Sequence, residues 1–543
     1  MYIDTVPNRN SPPAILLRES VRVGNRIHKR TLANLSHWPA ARVAALRRAL
    51  RGEFDHLGTE QPQLGPAFAL LFVLKQLADE LGLTAACGAG RAGKLALFLV
   101  LARLAHQGSR LSAVRWAAEH AVAEVIGLKD FDEDDLYGAL DDLAQRQEAI
   151  EQQLYRRYLK RSATPPALFL YDVTSSYFEG SHNELAAYGY NRDGKRGKLQ
   201  IVLGLLTDGE GEPLAVRVFA GNTSDPLTVA EQIRVVQQSF GVSELIFVGD
   251  RGMVKRKGQA ALQAAGLRYI TALTDPQIRR LLSTGVLQLE LFSEQVVEVE
   301  QDGRRYLLRR NPDQAARERH RLADKLARLQ SKVTARNERV QAAPRALPQA
   351  GLDQLKAWLV RHKLTGLVEL RLDGRLLVSQ TQEAAIEQTL ELAGCYVVVT
   401  DVPAALLGAQ QVHDSYLSLQ KVERDFRTLK TGLLQVRPVF VRKESRTRGH
   451  VLCCMLALKL SRELELRLKA AFGTTDTNPH AITLPDALQA LGRMCLLNYQ
   501  VDENTVLTRL PQPTARQQEI LAALRVALPP APVDRRSFDP AAR

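Results

Sequence analysis

Residues 167–173 read Ala167-Leu168-Phe169-Leu170-Tyr171-Asp172-Val173, an apolar run of strand length with a carboxylate inside it. An ionised Asp in such a strand is costly to bury unless it is paired or holds a metal ion. A second run, Leu245-Ile246-Phe247-Val248, ends at Gly249-Asp250, and Gly252 allows a tight exit. Strand ends of this kind are where open α/β sheets place their ligands. If the two strands are neighbours, Asp172 and Asp250 converge and raise each other's pKa. A divalent cation relieves that repulsion, and carboxylate oxygens are the hard ligands Mg²⁺ prefers.

Around these two strands the pattern is mixed α/β. Leu199 to Leu206 and Leu214 to Phe219 read as strands that complete an antiparallel meander with the first. Asp225-Pro226 starts a helix, with Asp225 expected as the N-cap and Pro226 at the first helical position. A helix from about Val254 to Ala265 and a strand from Tyr269 to Leu273 follow. Residues 276–393 read as an insertion, in which Asp302-Gly303 and Asp373-Gly374 hairpins flank a long basic helical stretch from about Asp313 to Val340. A strand from Cys395 to Thr400 resumes the core.

The third acid lies on a helix with a clear seam, Leu419, Val422, Phe426, Leu429 and Leu433. Glu423 falls at the margin of that seam. Tyr416 and Lys430 stand seven residues on either side of it, which predicts one stripe along one helix. Arg427, a turn beyond Glu423, either binds phosphate or pairs with the acid. Each residue has a plainer reading: Asp250 as a turn former, Glu423 as an i,i+4 partner of Arg427, Lys430 as an amphipathic rim residue. The context of three acids in this order favours a site.

The rest of the chain narrows the class. It has 543 residues, a formal net charge of +14, 45% hydrophobic and 24% charged residues, which describes a folded multidomain protein and favours a polyanionic partner, either nucleic acid or an anionic membrane face. No apolar run reaches the length of a membrane span, since Leu95 to Leu101 is bounded by Lys94 and Arg103. Asp4 and early prolines replace the basic start and apolar core of a signal peptide. Five scattered cysteines suggest neither zinc nor a disulfide framework, so a reduced, cytoplasmic setting is expected. Residues 14–34 alternate around Val23-Gly24-Asn25-Arg26 and read as a hairpin carrying Arg18, Arg22, Arg26, Lys29 and Arg30. Two readings stand equally here, a DNA-contacting arm or an edge hairpin with protective charges. From 66 to 160 the spacing is helical, as in Leu70, Leu71, Leu74, Leu77 and Leu81, and a helix-turn-helix within it is one option. His450, at the head of an apolar helix, reads as a core or capping residue, and Leu528-Pro-Pro-Ala-Pro starts a loose tail.

The segment Tyr416-Leu-Ser-Leu-Gln-Lys-Val-Glu423-Arg-Asp-Phe-Arg-Thr-Leu-Lys430 resembles the Y-x2-R-x3-E-x6-K signature of bacterial insertion-sequence transposases of the DDE type. Leu419 stands at the signature arginine's place, with Arg424 or Arg427 as substitutes. Leu170 to Gly180 and Val248 to Met253 resemble the family's two Asp segments. Gly189-Tyr-Asn-Arg-Asp-Gly194 and Phe219-Ala-Gly-Asn-Thr-Ser-Asp225 are also similar to family patterns. The resemblance spans about residues 15–470. It implies an RNase H-like mixed sheet with flanking helices and a β-rich insertion between the second Asp and the Glu. Asp172, Asp250 and Glu423 would be catalytic and hold two Mg²⁺ or Mn²⁺ ions. Tyr416, Arg427 and Lys430 would contact double-stranded DNA, with basic stretches such as Arg437 to Arg448 also holding phosphates. The substrates would be the element's inverted-repeat ends and target DNA, and the enzyme a synaptic homodimer associated with the bacterial nucleoid. A non-catalytic DNA-binding derivative and a nuclease that cuts without joining are the alternatives. The expected division is an N-terminal hairpin arm (1–60), a helical domain (61–162), the catalytic core in two parts (163–275 and 394–470) around the insertion (276–393), and a C-terminal helical region with its tail (471–543).

Overall fold

The computed structural model describes the chain except for residues 10, 25, 54–61, 163–165, 181, 196, 344, 431, 437–440, 503–504 and 531–543. Asn25 of the expected hairpin turn, Arg437 and the tail from 531 onward therefore lie outside the described residues. Two compact units form, Met1–Gln145 with Leu456–Arg543, and Arg146–Met455. Their boundaries differ from the six-segment division and split both 61–162 and 394–470.

The first unit opens with an antiparallel sheet of β1 (Tyr2–Val6), β2 (Ala14–Val23) and β3 (Arg26–Asn34), in the order β1-β2-β3. After β4 (Gln63–Ala67) come the helices Ala69–Leu81, Arg91–Ala105, Arg110–Ala118 and Glu133–Gln145, with two short ones between them. Leu70, Leu71, Leu74, Leu77 and Leu81 are all buried, and so are Phe72, Val73 and Ala78. The helix is therefore wrapped on nearly every side. Gly82 ends it in the left-handed region (φ +82°) that glycine takes without a Cβ clash.

The second unit is built on an eight-stranded mixed sheet. Its first strands are β5 (Leu168–Tyr177), β6 (Gln200–Asp208) and β7 (Pro213–Ala220), an antiparallel meander as the pattern predicts. Next come β8 (Ile246–Gly249), parallel to β5, and β9 (Arg268–Ala272), parallel to β8. The core alternates along these strands through Phe169, Tyr171, Val173, Phe247 and Tyr269. The helix Asp225–Arg234 begins as expected, but the N-cap is Ser224, and Asp225 already has helical geometry. That shift leaves the Asp225 carboxylate free to pair elsewhere.

The segment 276–393 departs from expectation. Its first hairpin, β10 (Val297–Gln301) and β11 (Arg304–Arg310), turns at Asp302-Gly303 and joins the main sheet. The remainder packs the helices Pro312–Ala342, Pro348–His362 and Glu383–Leu390 on a separate pair, β12 (Val368–Asp373) and β13 (Leu376–Thr381). Leu329, Val333, Leu352, Leu355, Leu359 and Leu370 form its core. The expected β-rich insertion is thus mainly helical. The reason is an open edge: β14 (Cys395–Thr400), antiparallel to β9, offers β11 a full register, Arg305 opposite Thr400 through Arg310 opposite Cys395. The sheet order is β10-β11-β14-β9-β8-β5-β6-β7.

The long helix Glu444–Phe472 spans the division between the units. Its His450 is buried, with Nε2 against the Val436 carbonyl, in keeping with a core role. Beyond it the first unit gains β15 (Cys495–Asp502) and β16 (Thr505–Arg509), ordered β16-β15-β4, a hairpin the sequence reading missed. No helix among the described residues is long and apolar enough to cross a membrane.

One buried ion pair ties the meander to a helix. Glu151, on the helix Gln147–Arg161, is fully buried and accepts from Arg217 of β7 at 2.7 and 2.9 Å, and from Val216 N–H. Removing one partner strands the other charge in the core. Arg217→Met is expected to lower the unfolding free energy by about 3–5 kcal/mol, while Glu151→Leu/Arg217→Met recovers most of the loss. Urea unfolding of the three proteins checks this.

Candidate active site

Register places the two aspartates. Leu170 lies opposite Val248 and Tyr171 opposite Gly249, so Asp172 and Asp250 follow at adjacent positions on parallel neighbours. The conditional step in the sequence argument, that these strands be neighbours, is met. Asp172 is half-buried within β5, where its carboxylate accepts the Val173 N–H at 2.7 Å. Asp250 is half-buried just past β8 and accepts the Gly252 N–H at 3.3 Å.

The third acid comes from the helix Leu419–Lys430, which packs on β5. Val422, Phe426 and Leu429 are buried along the predicted seam. Leu433 lies beyond the helix end, so the seam is a residue shorter than expected. Tyr416 does not share this helix. It belongs to Ala409–Leu417, and Ser418 breaks the two apart, its Oγ donating to the Asp414 carbonyl at 3.0 Å. The Tyr416–Glu423–Lys430 stripe therefore runs over two helices separated by the single residue Ser418. Tyr416 still reaches the acids, and Glu423 stands exposed.

The acids and Tyr416 act on one another electrostatically. Burial pushes the Asp172 carboxyl up to about 7. The charges of Asp250 and Glu423 add to that push, while the Val173 N–H and Arg192 oppose it. Burial likewise raises the Tyr416 hydroxyl well above its usual range, helped by Asp250, Glu423 and Asp172 and opposed by Arg251.

Lys430 is half-buried. Its Nζ donates to Thr174 Oγ1 at 2.9 Å and to Asp193 Oδ1 at 2.5 Å, which locks the helix end to β5. Arg427 is exposed, and Arg424 lies 3.5 Å from Asp425. Leu419, at the signature arginine's place, is buried. Arg192 acts on Asp172 and Arg251 on Tyr416.

The sequence assigns Arg192 and Asp193 no role and Asp225 only that of a helix N-cap, and the fold joins Arg192 to Asp225. Gly189 and Gly221 let two loops touch: a Cβ at Gly189 would lie 2.1 Å from the Gly221 carbonyl oxygen, and one at Gly221 1.9 Å from the Gln200 carbonyl oxygen. Gln200 Nε2 bridges them, donating to the Tyr190 and Gly221 carbonyls. Arg192 N–H then donates to Ser175 Oγ of β5, and its guanidinium pairs with Asp225. Asp225 is close to the acids, since a Cβ at Gly252 would lie 3.5 Å from both Asp225 Oδ2 and Asp250 Oδ2. The signal available in sequence was Gly189 and Gly221 flanking charged residues, which periodicity does not read.

The donor set suits a hard divalent cation in kind, because carboxylate oxygens are hard ligands and the charges of Asp250 and Glu423 add to the effect of burial on Asp172. The described residues do not gather three His, Cys, Asp or Glu side chains into one coordination shell. The acids interact through space without closing around a single point.

No family model and no curated protein matches the chain. Two solved structures overlap it loosely. A piggyBac transposase synaptic complex with hairpin DNA has 9% identity and a TM-score of 0.35, covering 67% of this chain and 64% of that one. The Mos1 transposase paired-end complex with left transposon end has 12% identity and a TM-score of 0.15, covering 30% and 58%. The chain thus spans less than two thirds of either, and overlaps this loose carry no argument about function.

Two outcomes are expected from the geometry. The folded chain keeps a proton on Asp172 that the unfolded chain loses near the ordinary 3.8, so stability falls as pH rises from about 4 to 7 and stays low above. Asp172→Asn should therefore raise the Tm of metal-free protein at pH 8, with the gain shrinking toward pH 4. Mg²⁺ at pH 8 should raise the wild-type Tm more than the variant's; calorimetry at three pH values checks both. Gly221→Ala forces the Gly189 loop off β5 and is expected to lower any activity of the site at least tenfold. Its Tm and activity, read together, separate a misplaced loop from an unfolded chain.

Proposed function

We propose that this chain is a DDE-type DNA transposase of a bacterial insertion sequence, with an RNase H-like catalytic sheet and Asp172, Asp250 and Glu423 as its acids. The observation that carries the reading is the register of β5 and β8. It sets two carboxylates side by side on parallel strands, with the Glu423 helix packed on the first. The meander β7-β6-β5 continuing into parallel β8 and β9 is the sheet this reading calls for.

Asp172, Asp250 and Glu423 would hold Mg²⁺ or Mn²⁺, two ions per site. Bound there, such ions supply Lewis acidity and a nucleophile at neutral pH. The protein's own part is positioning and charge, since phosphoryl transfer asks little covalent chemistry of it. Burial, with the charges of Asp250 and Glu423 added to it, raises the Asp172 carboxyl to about 7, and a cation held there would favour its ionised form. Water would first displace the 3′-oxygen at each element end, leaving a 3′-hydroxyl and a 5′-phosphate. The 3′-oxygen would then attack a target phosphodiester, exchanging one P–O bond for another and losing its proton to solvent. Tyr416, near the acids, and Arg427, one turn beyond Glu423 on its helix, would contact the DNA backbone. Lys430 could do so only by exchanging Asp193 for a phosphate. The substrates would be double-stranded inverted-repeat ends and target DNA, handled by a synaptic homodimer in the cytoplasm.

The test is cutting and joining of labelled DNA bearing the element's own ends, with Mg²⁺ or Mn²⁺. Wild-type protein is expected to cut and join. Asp172→Ala, Asp250→Ala and Glu423→Ala should each fall at least a hundredfold while still binding DNA. Cutting without joining would favour a nuclease, and binding without cutting a non-catalytic derivative. Full activity in any one variant removes that acid from the site.

A further inference from the structure

We infer that the free end of the β2–β3 hairpin is a DNA-binding arm that enters the major groove of duplex DNA. The inference rests on the DNA-processing reading and adds the surface that grips the duplex.

β1 supports β2 only as far as Arg18, opposite Tyr2. Beyond it, β2 and β3 pair with each other alone, and residues 20–24 and 26–32 are exposed. A two-stranded ribbon that buries neither face is marginally stable in water. Its residues are also not those of a simple solvated turn. Val23 is 62% and Ile27 68% exposed, and Val21 is exposed as well.

Cross-strand partners share a face. One face carries Arg18 and Thr31, Ser20 and Lys29, Arg22 and Ile27; the other carries Glu19 and Arg30, Val21 and His28, Val23 and Arg26. Cations and apolar groups therefore occupy both faces. A flat anionic surface would engage only one of them. A groove walled by phosphates on both sides engages both, and apolar side chains at its floor meet thymine methyl groups. Among the described residues Arg22 and Arg26 have no acidic partner, and Arg30 approaches Glu19 only at 3.6 Å.

The dimensions agree. Six residues from Arg18 to Val23 span about 20 Å at roughly 3.3 Å each. Two strands about 5 Å apart fit a groove about 12 Å wide, which admits such a ribbon. Protective edge charges, the alternative reading, need only one exposed edge and no exposed Val or Ile.

The experiment measures binding of the full chain to a fluorescein-labelled 40-base-pair duplex of mixed sequence across a salt series. Arg22→Ala/Arg26→Ala/Lys29→Ala/Arg30→Ala is expected to bind at least tenfold more weakly at 0.1 M salt. The slope of log affinity against log salt should flatten by about 3 to 4, close to 0.9 per lost phosphate contact. Arg22→Lys/Arg26→Lys/Arg30→Lys, which keeps the charge, should bind like wild type. Methyl green, which fills the major groove, should reduce wild-type binding toward the alanine variant's level, and distamycin, in the minor groove, should leave the two proteins apart. Wild-type affinity and slope in the alanine variant, at unchanged Tm, overturn the arm while leaving the transposase reading intact. Distamycin rather than methyl green closing the gap overturns the groove assignment. A wild-type chain that binds no duplex overturns both.

Discussion

The site depends on one arrangement that a sheet cannot make cheaply, two carboxylates at matching positions of adjacent parallel strands. Asp172 and Asp250 follow directly from the pairing of Tyr171 with Gly249. Parallel neighbours need a long crossover, and here the chain between β5 and β8 supplies it with two antiparallel strands and a helix. The apolar residues that make β5 and β8 good buried strands are the ones that desolvate Asp172. Packing and chemistry therefore pull in opposite directions within one strand, and the half-buried, partly neutral acid is the compromise.

The surroundings of that pair limit the conflict. Lys430 is bound by Asp193 and Thr174, and Arg192 by Asp225, so both cations sit near the acids without cancelling them directly. The loops bearing Arg192 and Asp225 meet only because Gly189 and Gly221 have no side chain. Under the proposed function, substrate phosphates would compete for the same cations and loosen Arg192 and Lys430 from their acids.

Much of this was legible in the sequence because the signals were local. The strand at Cys395–Thr400 and both Asp-Gly hairpins follow from apolar runs and turn chemistry, and Asp172 and Asp250 were found because an acid in an apolar strand is anomalous. What failed was non-local. The β10–β11 hairpin was assigned to an insertion because nothing within it reports the open edge of β14. Period places Tyr416 and Lys430 on one helix because it does not register the break at Ser418, whose hydroxyl turns back onto the Asp414 carbonyl. Arg192 and Asp225 lie 33 residues apart, and only the meeting of two glycines makes them partners.

The central proposal is that Asp172, Asp250 and Glu423 act together as one site for divalent metal. Fe²⁺ substituted for Mg²⁺ and treated with ascorbate and peroxide generates hydroxyl radicals that cleave the polypeptide beside the ion. The account predicts cuts near residues 172, 250 and 423, suppressed by excess Mg²⁺ and absent from Asp172→Asn. Cuts confined to other segments, or a pattern indifferent to Mg²⁺, would contradict it.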